Sequence, residues 1–297
     1  EIPGFQFGYL VAVRAGETIA TVPYFLMDFK INTMLEDGWL KRLLGNAGFR
    51  MACIGHPCAA FGNIDGVVSA ELMTKVFLEL QQLAPVVSLK GFRPHMPAVG
   101  FVEAKGLPVA MLRLRENFWQ SMSSARRRNF KRKRKKASAL RLEVFKGLPE
   151  GYPQLVHDLY IKVYERSRIH FERLDLNYFV STASISTYVL AYLGEQVVGF
   201  VQVFQKDKRM LAQYIGIDHA YNRAHGVYFA LAIRVVDLAI EWGSEEIELG
   251  ETHYEFKKAL GCTLVDTSVY FRHRNPWVHR LMSLFSFVFE PSAEELK

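Results

Sequence analysis

Arg209 to Gly261, RMLAQYIGIDHAYNRAHGVYFALAIRVVDLAIEWGSEEIELGETHYEFKKALG, is the stretch whose reading decides the fold. RMLAQYIGID is an apolar run of strand length. HAYNRAHG reads as a polar loop closing on Gly226, and residues 227–243 follow with the apolar spacing of a long amphipathic helix. EEIELG is a further short strand, and HYEFKKALG a short helix carrying Lys257 and Lys258. A loop that feeds a helix N-terminus turns unpaired backbone N–H groups outward, so this order of elements builds an anion site.

Reading outward from it, LRLEVFKG is a strand, PEGYPQLVHDLYIKVYERSR a helix with Pro149 and Pro153 near its start, and DLNYFVSTA a second short helix. STYVLAYLGEQVVGFVQVFQKDKRMLAQYIGID is a three-strand meander. The second half therefore runs β-α-α-β-β-β-α-β-α-β, with TSVYFRHR as the last strand. The first ~115 residues read β-β-β-α-β-β-β, with Val67, Leu72, Val76, Leu80 and Leu83 as the apolar face of the helix. Residues 116–139 lack Gly and Pro and read as one helix bridging the halves. NPWVHRLMSLFSFVFEP is aromatic-rich and reads as a helix docked on the body in preference to a membrane-surface helix.

The chain of 297 residues, half of them hydrophobic, is long enough for two cores. Its longest apolar runs, such as VVGFVQVF, fall short of the ~20 residues that span a bilayer, so a soluble protein is expected. Cys53, Cys58 and Cys262 are odd in number and lack metal-ligand spacing, which points to a reducing, cytoplasmic setting and to no metal. The start at Glu1 rather than Met leaves the natural N-terminus open. Nine of the eleven residues Arg126–Lys136 are Lys or Arg, which leaves about −2 of the net charge of +7 for the rest of the chain. That helix reads as a solvated linker, a tRNA-facing surface, or a contact with an anionic membrane on its inner face.

The second half resembles the GNAT acyltransferase fold, in which a loop of the type Arg/Gln-x-x-Gly-x-Gly/Ala binds the pyrophosphate of an acyl-CoA. Arg223-Ala-His-Gly226-Val-Tyr228 matches its first two positions and departs from it at Tyr228. In place of the family's Tyr four residues before a Gly stands Lys257, in Phe256-Lys257-Lys258-Ala-Leu-Gly261. Together with Ser124-Ala-Arg-Arg-Arg128-Asn129-Phe-Lys131-Arg132 and a preceding half with its own sheet, this ending is similar to the Fem-type tandem transferases and their cellulose-biosynthesis relatives.

The resemblance implies an α/β fold of mixed (α+β) sheets in two tandem GNAT-like domains, the first incomplete at its N-terminal end. The expected boundaries are 1–115 (acceptor side), 116–139 (basic helix), 140–275 (donor side) and 276–297 (docking segment). It implies N-acyl transfer from acetyl-CoA or a longer acyl-CoA to an amino group of a sugar, amino acid or peptide. Aminoacyl transfer from aminoacyl-tRNA and a non-catalytic binding module remain open beside it. The donor would lie on Ile217, Asp218, Arg223, Ala224, His225, Gly226, Val227 and Tyr228, with backbone amides near Tyr214–Ile217 facing the oxyanion. Lys257 would stabilise the intermediate or leaving group, Glu248 or His253 serve as base, and Tyr254 as an alternative acid. Arg168, His170 and Glu172, in the loop between the two helices, and Tyr214 would meet the acceptor.

Overall fold

A computed structural model describes residues 2–30, 48–167, 172–291 and 296. The chain divides into two units, 1–109 with 265–297, and 110–264. The first contains strands β1 (Phe5–Arg14), β2 (Glu17–Lys30), β3 (Gly48–Ile54) and β4 (Asp65–Gly66), helix α1 (Ala70–Leu83), then β5 (Val86–Phe92) and β6 (Val102–Lys105). The second runs β7 (Val109–Arg113), α2 (Phe118–Ser121), α3 (Ser124–Lys136), β8 (Leu140–Lys146), α4 (Pro153–Tyr164), α5 (Leu176–Ser181), β9 (Thr187–Leu193), β10 (Gln196–Lys206) and β11 (Arg209–Ile217). It continues with α6 (His219–His225), α7 (Val227–Glu241), β12 (Glu246–Glu248), α8 (Tyr254–Leu260) and β13 (Thr263–Val265). The chain ends back in the first unit with β14 (Ser268–His273) and α9 (Pro276–Leu284).

The first sheet is ordered β1-β2-β3-β5-β14-β6, with β4 on β2, and the second β13-β7-β12-β11-β10-β9-β8. Each sheet is completed by a strand distant in sequence: β7 pairs antiparallel with β12, and β14 antiparallel with β5. Laid side by side, β1-β2-β3-β5-β14-β6 has the same pattern as β9-β10-β11-β12-β7-β13. The third and fourth strands are parallel in both, β3 with β5 and β11 with β12. A parallel pair needs a crossover, supplied by α1 in one unit and by α6 and α7 in the other. β8, α4 and α5 have no counterpart among the described residues of the first unit. The unit boundaries thus fall at 109/110 and 264/265 rather than at 115 and 275, because strand pairing across long sequence separation sets them.

Local signals explain the helices and correct two readings. Ser69 Oγ accepts from Leu72 N at 3.1 Å to cap α1. The buried face of α1 is Leu72, Met73, Val76, Phe77 and Leu80, whereas Val67 and Leu83, expected on it, are exposed. The single helix expected over 116–139 is broken between α2 and α3: Met122 is extended, and Ser123 Oγ caps the new start by accepting from Arg126 N at 3.4 Å. α9 forms and meets β14 through its His279 side, though none of its side chains is fully buried. Among the described residues no helix is long and apolar enough to cross a membrane.

Candidate active site

β11 and β12 part early. They pair only from Arg209/Glu246 to Leu211/Glu248, after which β11 runs on to Ile217 with no strand on that side among the described residues. On its other side β11 stays paired with β10 up to Ile217/Gly199, with Gln213 as an extra residue between the Tyr214/Gln202 and Ala212/Val203 pairs. The ladder to β12 ends there, and a strand that outruns its neighbour turns backbone donors and acceptors toward the space the ladder leaves.

Glu248 stands at the fork. Met210 and Ile247 belong to the core on the α7 face, so alternation along the strands puts Leu211 and Glu248 on the opposite face. α4 covers that face, since a Cβ on Gly216 would meet the Leu159 and Tyr160 backbone at 2.7 Å. Glu248 is 8 % exposed, and burial holds its carboxyl above the ordinary range, with Arg209 opposing and Glu251 reinforcing the shift. On the same face Tyr214 Oη donates to Glu172 Oε1 at 2.8 Å, and its ring lies edge-on to Tyr160 and Tyr178. Tyr160 Oη fixes the segment by donating to Glu172 O at 3.1 Å. The structure therefore brings Glu172 and Tyr214 together, while Arg168 and His170 lie outside the described residues.

The expected polar loop after β11 is a helix. Asp218 caps α6 by accepting from Ala220 N at 3.0 Å, and Gly226, at φ 64°, ends it while opening α7. Lys162 Nζ, 2.6 Å from Asp218, holds that carboxyl below its usual range. Gly226 N donates to Asn222 O at 2.8 Å, and Tyr228 N to Asn222 Oδ1 at 3.0 Å. The α7 N-terminus is thus partly capped from within, by a residue the sequence reading passed over. Ile217 is buried at the end of β11, Val227 is buried, and Arg223 and Ala224 are exposed on α6 with His225 half-exposed. The Tyr228 side chain packs against Phe229, His253 and Phe256, where burial pushes its hydroxyl to about 12. Tyr at this position is accommodated by aromatic packing.

Beyond β12 the chain enters three left-handed residues, Gly250 (φ 68°), Thr252 (φ 67°) and His253 (φ 51°). A non-glycine residue held there costs roughly 1 kcal/mol or more, so the segment needs a fastener. Lys257 supplies it: Nζ donates to Gly250 O at 3.0 Å and Glu251 O at 2.7 Å. Lys257 is 5 % exposed, not a surface residue, and burial lowers its ammonium to about 8. Tyr254 is fully buried, its ring 5.8 Å from Lys257 Nζ. Burial also lowers the His253 imidazole, which favours its neutral form.

The basic helix lies along these elements. Arg134 pairs with Asp237 of α7 at 2.8 Å, Trp119 Nε1 donates to the same carboxylate at 2.7 Å, and Lys133 Nζ sits 3.2 Å from the Phe229 ring centre. A Cβ on Gly226 would meet Lys136 Cδ at 3.7 Å, so this cation flanks the α6–α7 junction. Eight of the nine cations are exposed. Among the described residues no cluster of His, Cys, Asp or Glu could hold a metal ion.

Residues 124–258 match the profile of the acetyltransferase (GNAT) domain. They carry a GNAT domain. The whole fold is similar to three solved structures, and at these identities the likeness concerns the fold alone. The C-terminal domain (DUF2156) of an Agrobacterium fabrum protein described as a lysylphosphatidylglycerol synthetase is 12 % identical, with a TM-score of 0.62 over 94 % of this chain and 88 % of that one. FemX is 10 % identical, with a TM-score of 0.58 over 94 % and 91 %. A tandem GNAT protein from the clavulanic acid biosynthesis pathway is 11 % identical, with a TM-score of 0.53 over 93 % of this chain and 85 % of that one. No curated protein matches the sequence. The GNAT domain spans α3 to α8, so the basic helix and Lys257 both fall inside it.

Proposed function

We propose that the GNAT domain is an N-acyltransferase that moves an acyl group from an acyl-CoA to an amino group, and that the reaction takes place where β11 and β12 part. The observation that carries this reading is the buried carboxylate of Glu248 at the fork, beside the stretch of β11 that runs past its last pair with β12. Glu248 accepts the proton from the acceptor amine, since a carboxylate raised by burial is a stronger base than one in water. The amine nitrogen then bonds to the thioester carbonyl carbon, and the carbon–sulfur bond breaks to release the thiolate. Backbone N–H groups of 212–217 face the oxyanion, a preorganised arrangement that needs no side chain. Lys257 is a positioning residue that holds 250–253 in its left-handed course and lends positive charge beneath it. Arg223, Lys136 and the remaining amides of the α7 N-terminus meet the donor phosphates. Glu172 and Tyr214 line the acceptor side.

The test is thiol release from acetyl-CoA and longer acyl-CoAs in the presence of amino sugars, amino acids and short peptides, alongside calorimetric titration with CoA. Thiol release dependent on an amine supports the reading. Absence of both CoA binding and thiol release counts against it.

A second reading has its own support. Asn222 occupies the Tyr228 amide, which narrows the pyrophosphate cradle, while a run of exposed cations flanks the same junction. An aminoacyl-tRNA donor fits that balance, and FemX and the lysylphosphatidylglycerol synthetase domain share the fold. A tRNA complex whose affinity falls steeply with salt, and weakens in Arg128→Glu/Lys131→Glu, would favour it over acyl-CoA.

A further inference from the structure

α9 and the turn after it carry a stripe of exposed apolar side chains. At roughly 100° per residue, Trp277, Leu281 and Leu284 fall on one side of α9, with Val278 and Phe285 at its margin. Trp277 is 79 % exposed, Leu284 69 %, and Phe287 just beyond the helix 66 %. His279, Met282 and Ser283 occupy the opposite side and are only partly exposed. The helix is firmly rooted there. Asn275 Oδ1 accepts from Trp277 N at 2.9 Å and Val278 N at 3.4 Å, and His273 N donates to His279 Nδ1 at 3.4 Å. The apolar side is therefore held outward by the fold.

Charge indicates what covers it. From residue 267 to 289 the chain has three arginines, Arg272, Arg274 and Arg280, and no acid. Arg274 and Arg280 are exposed, and Arg280 flanks the stripe, where a long side chain can keep its charge at a polar boundary while the stem lies along apolar surface. Five or six apolar side chains present a few hundred Å², below the ~800 Å² per partner of a stable protein interface. Trp and Phe over a cationic margin suit an interface between hydrocarbon and anionic headgroups.

We infer that α9 and its following turn form an interfacial foot that lies on an anionic bilayer surface. This surface belongs to the first unit, and the inference does not depend on the acyl-transfer reading. The full chain is sedimented with vesicles of phosphatidylcholine alone and of phosphatidylcholine mixed with phosphatidylserine, and tryptophan emission is followed in parallel. The expected result is cosedimentation with the anionic vesicles and a blue shift of emission. Trp277→Ser/Leu281→Ser lowers vesicle affinity about tenfold or more and removes the shift. Arg274→Glu/Arg280→Glu lowers affinity for the anionic vesicles by several-fold. Failure of the unaltered chain to bind anionic vesicles overturns the inference. So does a dimer, seen by light scattering, that the same serine variants abolish, because the stripe would then be covered by a second copy.

Discussion

The two parallel crossovers of this chain are built alike and end differently. In the first unit β3 and β5 pair from Met51/Val86 to Ile54/Leu89, and β5 continues to Phe92. The loop after β3 closes that fork: Gly62 N donates to Gly91 O at 3.0 Å, and Lys90 Nζ donates to Ala59 O at 2.8 Å and Pro57 O at 3.3 Å. A methyl on Gly91 would stand 2.1 Å from Ala60 O, which leaves no room for a ligand. In the GNAT domain β11 runs six residues past its last pair with β12, and among the described residues no further strand pairs with it on that side. The residue at the last parallel pair also differs, Leu89 in one unit and Glu248 in the other. One pattern of strands thus gives a fork closed by its own loop in one unit and, in the other, the fork at which we propose the reaction takes place.

Exchanging features between the forks tests this difference. Glu248→Gln removes the proton acceptor and lowers kcat/KM by about 10²–10³-fold with the circular dichroism unchanged; a loss under threefold would assign the base elsewhere. Leu89→Glu buries an unpaired charge in the sealed fork and costs roughly 3 kcal/mol or more, measured by denaturant unfolding. Glu248→Leu goes the other way and is neutral or stabilising by about 1 kcal/mol, because functional polar groups are held at a cost.

The pH dependence follows from the same residues. Glu248 must be ionised to act, so activity falls as pH drops through a value above 4.5, the ordinary carboxylate figure. Its raised folded-state value stabilises the fold below the unfolded value, and this contribution is lost as pH rises through the folded one. Lys257 titrates near 8 when folded against 10.5 when exposed, so the folded state binds fewer protons in that window. Stability from this group therefore rises from pH about 8 toward 10.5, while activity falls if its charge supports the intermediate. In Lys257→Met both pH effects vanish, and the two carbonyls it binds lose their donor, a cost of about 2 kcal/mol. Gly226→Ala, where space is open and only the φ of 64° resists, costs about 1 kcal/mol. Gly91→Ala, against a carbonyl, should cost clearly more.

Much of the fold was legible because its signals are local: apolar periodicity in α7, alternation in the meander, Ser69 before α1. α6 carried local signals too, Asp218 as cap and Gly226 as stop, but its polar composition read as a loop. The exchange of β7 and β14 was not legible, since each pairs with a strand far away in sequence. Lys257 beside Lys258 looks like a solvated pair; only the course of 250–253 shows why one of them is buried. Asn222, Lys162 and Lys136 act through contacts with other elements, which no spacing within the Arg223–Tyr228 motif encodes.

Hydrogen–deuterium exchange with and without saturating acyl-CoA tests the open fork most directly. The account predicts new protection at 212–217 and 248–253, with 86–92 unchanged. Protection absent from the β11–β12 fork, or appearing at 86–92 instead, would contradict it.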